Sequence, residues 1–283
     1  MDDSEPHPTR HISLREWLET LADQKARATV ALIAGVLIAL AYAAARFLIY
    51  GAFPVRSAEQ IPGVGVLSGS GHEWWVRDTI MDVPRLIAFG FAFWVGRYFW
   101  GLDGLGWHAR RCKQGLIWGA IAACLICSDG LFRLKPTGYS VSVLAVVSLS
   151  SVVVALMEET LFRGLLFNAL SDLGGRQWAI WVPTVLFTAY HVQAQPITGW
   201  PFIFAAGLFL AVLRWQGVGL VWLVLSHAVG DSLIAAANYG PSRVTWWPAV
   251  ARALQLGVPA VYFVWATRSW PSRLRIAFGR GAI

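Results

Sequence analysis

Charge is what this sequence has least of. Of its 283 residues only 14% are Asp, Glu, Lys or Arg, against 57% that are hydrophobic, and the mean hydropathy is +0.54. So little charge cannot cover the surface of a soluble protein of this length, whereas repeated apolar stretches of membrane-spanning length account for it directly. The net charge of +7 therefore reads as juxtamembrane Arg and Lys facing an anionic leaflet, and a nucleic-acid partner is not expected. Cysteine is scarce as well. Three residues make no disulfide framework, and the Cys124/Cys127 pair lies in an apolar run with no second pair to complete a metal site, so it reads as packing. A cleaved secretory signal is missing too, because a long polar and acidic stretch precedes the first apolar run; the first span is expected to stay in the mature protein. There is no internal repeat and no second domain.

What is present is a series of apolar segments, at approximately 28–50, 82–100, 114–133, 139–170, 178–195, 200–215, 217–237 and 248–267. They predict an all-α, polytopic membrane helix bundle of about eight transmembrane helices around a buried polar site. Residues 1–27 precede the bundle. There Leu14, Trp17, Leu18 and Leu21 form one stripe, and Ser13 with Glu16 reads as a capping box, which predicts a short cytoplasmic helix lying either on the membrane surface or, solvated, against the protein's own loops. Residues 28–283 form the transmembrane domain. The loop from Pro54 to Arg77 is Gly-rich and too polar for lipid, and Trp74-Trp75 and Trp246-Trp247 read as interfacial belts. With an even number of spans both termini share a side. That side collects Arg10, Arg15, Lys25, Arg27, Arg110, Arg111, Lys113, Arg176, Arg214, Arg268, Arg273, Arg275 and Arg280, which places both termini in the cytoplasm.

The fourth segment carries three charges in Met157-Glu158-Glu159-Thr160-Leu161-Phe162-Arg163. Ionisable groups in mid-membrane are costly and, where they persist, face a protein interior or a water-filled cavity. At 100° per residue Arg163 lies about 40° from Glu159 and about 140° from Glu158. Glu159 therefore takes the arginine in the favourable i,i+4 order, and Glu158 is left without a partner in its own segment. Later segments offer His191, and His227 with Asp231 one helical turn on. Counted from the cytoplasmic ends of their spans, Glu158, His191 and His227 come out at similar depths, roughly 18, 20 and 15 Å. Tyr190, Asn168 and Gln193 either line the same cavity or bond across helices, and Asp129 reads as a satisfied polar group of the third span.

Glu-Glu-x-x-x-Arg, Phe-x-x-x-His and His-x-x-x-Asp, in that order on successive membrane segments, resemble the CPBP family of intramembrane proteases, which includes the CAAX prenyl endopeptidase. The resemblance covers residues 141–237. It departs from the family at Asp231, where asparagine is more usual. The resemblance implies an intramembrane endopeptidase acting on a membrane-anchored or lipid-proximal substrate, such as a CAAX-like or sorting-signal C-terminal tail, in a multi-pass protein of the plasma membrane if bacterial. It implies Glu158 as the base that activates water, His191 as the group that holds that water or shuttles its proton, and His227 as an oxyanion donor. Asp231 then orients the imidazole or polarises the site, while Glu159 and Arg163 are the supporting ion pair. No cofactor is required on this reading. Zinc is the rival: Glu158, His191 and His227 would make a two-histidine, one-glutamate set, but His-Glu-x-x-His is absent and a separate base would still be needed. Membrane lipids and a membrane-anchored peptide or protein are the expected partners. The alternative from another class is a non-catalytic transporter or binding and immunity protein using the same polar cavity; the absence of repeats speaks against the transporter.

Overall fold

The computed structural model describes residues 14–52, 73–109, 111–128, 134–136, 141–191, 197–239 and 246–268. Eight α-helices account for most of them: α1 (Leu14–Ala52), α2 (Glu73–Leu105), α3 (Cys112–Cys127), α4 (Val141–Glu158), α5 (Phe167–Tyr190), α6 (Trp200–Trp215), α7 (Leu220–Ala236) and α8 (Trp247–Thr267). A π-helical segment, Glu159–Leu166, joins α4 to α5, and a 3₁₀ turn, Ile197–Gly199, leads into α6. Two three-residue strands, β1 (Leu134–Pro136) and β2 (Ala237–Tyr239), pair antiparallel with Lys135 opposite Asn238, tying the chain beyond α3 to the exit of α7. Ser13, Asp129 and Gln193 lie outside the described residues. The three cysteines are free thiols.

Five helical stretches are long and apolar enough to cross a membrane, and two shorter apolar helices, Cys112–Cys127 and Leu220–Ile234, accompany them. One of the five, Val141–Tyr190, is 50 residues long and is two crossings, not one. A straight helix would hold Glu158 and His191 roughly 50 Å apart, yet their side chains approach to 3.9 Å. The reversal falls at Gly175, whose φ of 74° and ψ of −166° belong to a region open essentially to glycine alone. Counting both arms makes six long stretches among the described residues, and the two shorter apolar helices bring the apolar helices to eight. Gly101, at φ 67° and ψ 178°, likewise ends the straight part of α2, so the second span stops where the sequence places its end.

Two local expectations change. The stripe at 14–21 does not form a separate surface helix: α1 runs unbroken from Leu14 to Ala52, because Ala22 to Arg27 contains neither Gly nor Pro and consists largely of good helix formers. The loop after the first span is also shorter than expected, since α2 begins at Glu73.

Packing follows burial pattern. On α1, Val30, Ile33, Leu37, Leu40, Phe47 and Leu48 are exposed, the apolar exterior that lipid covers. By contrast α6 is buried on all sides from Gly207 to Arg214, as expected of a helix at the centre of the bundle. α7 packs on α3 and α4. The α3 contact uses Gly115 and Gly119: a side chain at Gly115 would collide with Trp222, and the Gly119 surface touches Ser226. Small residues at i,i+4 let the two backbones approach, the usual route to helix association in a membrane.

One end of the bundle is stitched by backbone carbonyls. Arg214 is buried and donates from Nε to Arg163 O (3.1 Å) and from Nη2 to Gly104 O (3.2 Å) and Leu105 O (3.1 Å). Asn168 donates to Gly104 O at 2.9 Å, and Arg111 Nη1 donates to Gln216 O. Thus Asn168 bonds across helices rather than lining the site, and Arg214, counted above among the topology-setting charges, is an internal strut.

Candidate active site

The acidic motif sits where α4 gives way to the π segment. Glu158 is the last residue of α4, and every residue from Glu159 to Leu166 is buried. A π ladder runs i→i+5 and is rare outside functional sites. Its wider turn still places Arg163 above Glu159, with Arg163 Nη1 donating to Glu159 Oε1 at 3.1 Å and both side chains wholly buried. Arg163 Nη2 donates to Gly207 O at 3.2 Å, and the guanidinium lies 4.1 Å from the Phe187 ring centroid. Gly207 is glycine for space, since a Cβ there would come within 3.1 Å of Phe187 and 3.2 Å of Arg163.

The histidines converge on the two glutamates from opposite arms. His191 follows the last turn of α5, where its Nδ1 meets Phe187 O at 2.7 Å. A carbonyl can only accept, so Nδ1 carries the proton and Nε2 presents a lone pair. That Nε2 faces Glu158 Oε1 at 3.9 Å. His227, on α7, has Nδ1 2.8 Å from Glu159 Oε1; a carboxylate oxygen accepts, so Nδ1–H points at Glu159 and the ring is fixed. His227 Nε2 then lies 3.7 Å from Glu158 Oε2 and 3.5 Å from Asp231 Oδ2.

The six sequence-identified residues therefore come together, with one redistribution of contacts. Glu159 serves Arg163 and, in addition, holds His227. Asp231, whose side chain is about one-third exposed at 31%, touches Nε2 and not the nitrogen that fixes the ring. Glu158 is 2% exposed, and neither imidazole is within hydrogen-bond distance of it; its Oε2 is buried without a hydrogen-bond partner. Separations of 3.7 and 3.9 Å are too long for direct bonds and suit a bridging water. Such a water could donate to Glu158 and to His191 Nε2 together, presenting its oxygen lone pair outward.

The wall beside this centre draws on α1 and α2, which lie outside the three motifs, as well as on the motif-bearing helices. Tyr190 packs against Tyr42 of α1 and Phe162 of the π segment, with ring centroids 5.5 and 6.0 Å away. Arg85 of α2 donates from Nε to the Tyr42 hydroxyl at 3.3 Å and from Nη1 to Asp82 Oδ1 at 2.8 Å. Ser150 of α4 donates to the same carboxylate oxygen at 2.9 Å. Arg46 of α1 donates from Nη1 to Tyr190 O at 3.3 Å. The signal that could have found these residues is the same one that singles out Glu158: a charge inside an apolar span.

Residues 140–233 match a family model described as type II CAAX prenyl endopeptidase Rce1-like. No curated protein and no solved structure matches the chain. The matched residues include all three motifs, from α4 to Asp231, and stop short of α1, α2, α3 and α8. A family of membrane proteases, a helical bundle with apolar spans and a buried carboxylate between two histidines agree with one another. Over residues 140–233 this integral membrane protein is similar to the Rce1-like family of type II CAAX prenyl endopeptidases.

Proposed function

We propose that the protein is an intramembrane endopeptidase in which Glu158 activates the hydrolytic water. The observation that carries this reading is the contrast between a buried Glu158 carboxylate whose Oε2 has no hydrogen-bond partner and the two imidazole Nε2 atoms that face its two oxygens at 3.9 and 3.7 Å. A water donating to Glu158 loses its proton there as the oxygen attacks the scissile carbonyl, and His191 Nε2 holds the second hydrogen and sets the line of attack. His227 supplies the donor for the developing oxyanion when Nε2 carries a proton; its ring is already oriented through Nδ1–H to Glu159. Asp231 holds that Nε2–H before the oxyanion forms. The proton on Glu158 then passes to the departing amine.

Zinc fits these residues less well. Among the described residues no group of three His, Cys, Asp or Glu side chains has the arrangement of a metal site. If Glu158 became a ligand, Glu159 could not replace it as base, because its carboxylate already serves Arg163 and His227. The proposed substrate is a membrane-anchored or lipid-proximal peptide, and the proposed orientation has both termini in the cytoplasm. Arg111, bonded to Gln216 O, and Arg176, stacked 3.9 Å over Trp215, put positive charge at the end of α6 and support the orientation.

The decisive experiment incubates purified protein with prenylated peptides and membrane-anchored tails beside a Glu158→Ala control. Cleavage by the wild type alone supports the reading. Chelator-sensitive cleavage restored by zinc would replace the glutamate mechanism with a metal one, and no cleavage of any substrate would favour a transporter or binding protein.

A further inference from the structure

α6 and α8 pack together and run the same way. Arg252 of α8 lies over the ring of Phe202, near the start of α6, at 5.9 Å, and further along both helices Phe204, Ala205 and Leu208 share one crevice with Leu256, Pro259 and Ala260. The crevice holds about 510 Å³, the size of a small-molecule site. Thr188 of α5 adds to its wall, but the Thr188 hydroxyl is already donated to Thr184 O at 2.9 Å. The lining is apolar almost throughout, so hydrocarbon is what fits it.

A cation stands at one end. Arg252 precedes Leu256 by four residues and Ala260 by eight, which puts the three on one face of α8. Its side chain is exposed, and among the described residues no carboxylate pairs with it. α8 is long and apolar enough to cross a membrane, and Arg252 lies in its second turn, where a long side chain carries its charge to the level of the headgroups. From Arg252 to Ala260 the helix rises about 12 Å, against about 15 Å for the hydrocarbon of one leaflet. The crevice therefore descends from an interfacial cation toward the middle of the bilayer. A free anion would leave the crevice unfilled, and an uncharged chain would leave Arg252 unmatched. A phospholipid satisfies both, with its phosphate on the guanidinium fork and a chain below. An anionic headgroup suits the site best, because a zwitterionic one sets its own cation beside the phosphate.

We propose that the crevice between α6 and α8 binds an anionic phospholipid of the surrounding membrane, one acyl chain lying between the helices and the phosphate on Arg252. The site is distinct from the catalytic centre, since α8 carries none of the three motifs, and it rests on no reading of the reaction. It reaches the centre indirectly: Thr188 precedes His191 by three residues, so the bound chain packs against the stretch of α5 that ends in that imidazole.

The test uses phosphatidylglycerol with a photoreactive group midway along one acyl chain, added to the purified full chain in detergent. Irradiation should label α6 and α8 around Leu208 and Ala260. Unlabelled phosphatidylglycerol should suppress that label at an about fivefold lower concentration than phosphatidylcholine with the same chains, the contribution of one arginine to holding an anionic lipid. Arg252→Gln should bring the two concentrations to within about twofold of each other. Ala260→Phe, which fills the crevice from an exposed position, should abolish the label. The wild-type label and its competition need no variant, and melting temperatures identify any variant that fails to fold. Label confined to other helices, or equal suppression by the two lipids, overturns the proposal. So does an unchanged preference in folded Arg252→Gln, or wild-type labelling of folded Ala260→Phe. If a prenylated peptide suppresses the label and phosphatidylglycerol does not, the crevice takes a substrate's anchor and the lipid assignment fails.

Discussion

The two adjacent glutamates occupy opposite kinds of environment. Around Glu159 the partners are close: Arg163 at 3.1 Å and His227 at 2.8 Å on the same oxygen, in a segment where every residue is buried. Around Glu158 the polar neighbours stand at 3.7 and 3.9 Å. One carboxylate is engaged in fixing Arg163 and tying the π segment to α7, and the other is positioned but uncommitted. On the proposed mechanism, stability and reactivity are separated across a single peptide bond.

Breaking the committed side should have the largest effect. Glu159→Gln leaves Arg163 buried without its counter-charge, a loss of typically about 3–5 kcal/mol, visible as a drop in melting temperature and in the yield of folded protein. Removing the whole pair, as Glu159→Gln with Arg163→Met, should recover part of that stability. Breaking the uncommitted side sharpens the contrast: Glu158→Gln should cut hydrolysis by at least about 10²-fold while the melting temperature barely moves. If the two phenotypes are exchanged, the assignment of base and strut is reversed.

A smaller effect is expected at the turn that brings His191 back to Glu158. Gly175→Ala meets no neighbouring atom within 4 Å but keeps a φ of +74°, so the cost is backbone strain alone, about 1–3 kcal/mol, read by thermal unfolding. The smallest is Gly207→Ala. The added methyl would press on Phe187 and Arg163 from 3.1 and 3.2 Å, an overpacking cost of about 1 kcal/mol that shifts the melting temperature without abolishing cleavage.

Much of the committed side was legible in the sequence, because i,i+4 geometry belongs to one helix and needs no tertiary knowledge. Arg163 could be assigned to Glu159, and span counting with charge asymmetry placed Glu158, His191 and His227 at matching depths. What did not follow was local or long-range in a different way. No residue in Glu159–Leu166 announces an i→i+5 ladder, since the same residues are compatible with an ordinary α-helix. The bond from His227 to Glu159 links residues 68 apart, beyond any single-helix argument; Glu159 fixes the ring, which leaves Asp231 with the second of the two roles the resemblance implies, polarising the site. The polar wall of Tyr42, Arg46, Asp82 and Arg85 was passed over because the first two spans were read for apolarity. The rule that a charge inside a span marks a site applies to them as it does to Glu158.

Arg46 also has a consequence for how the protein enters the membrane. Its one hydrogen-bond partner among the described residues lies 144 residues further along the chain, so while α1 is being inserted the guanidinium has beside it only the Tyr50 ring of its own helix. An arginine at the centre of a span costs about 2.5–3.5 kcal/mol on insertion scales, and less toward an end. α1 offsets this with the most apolar stretch of the five long spans. The run of Val, Leu, Ile and Ala preceding Arg46 therefore has two roles: it faces lipid in the finished bundle, and during insertion it offsets the cost of an arginine whose hydrogen-bond partner, Tyr190, has yet to arrive.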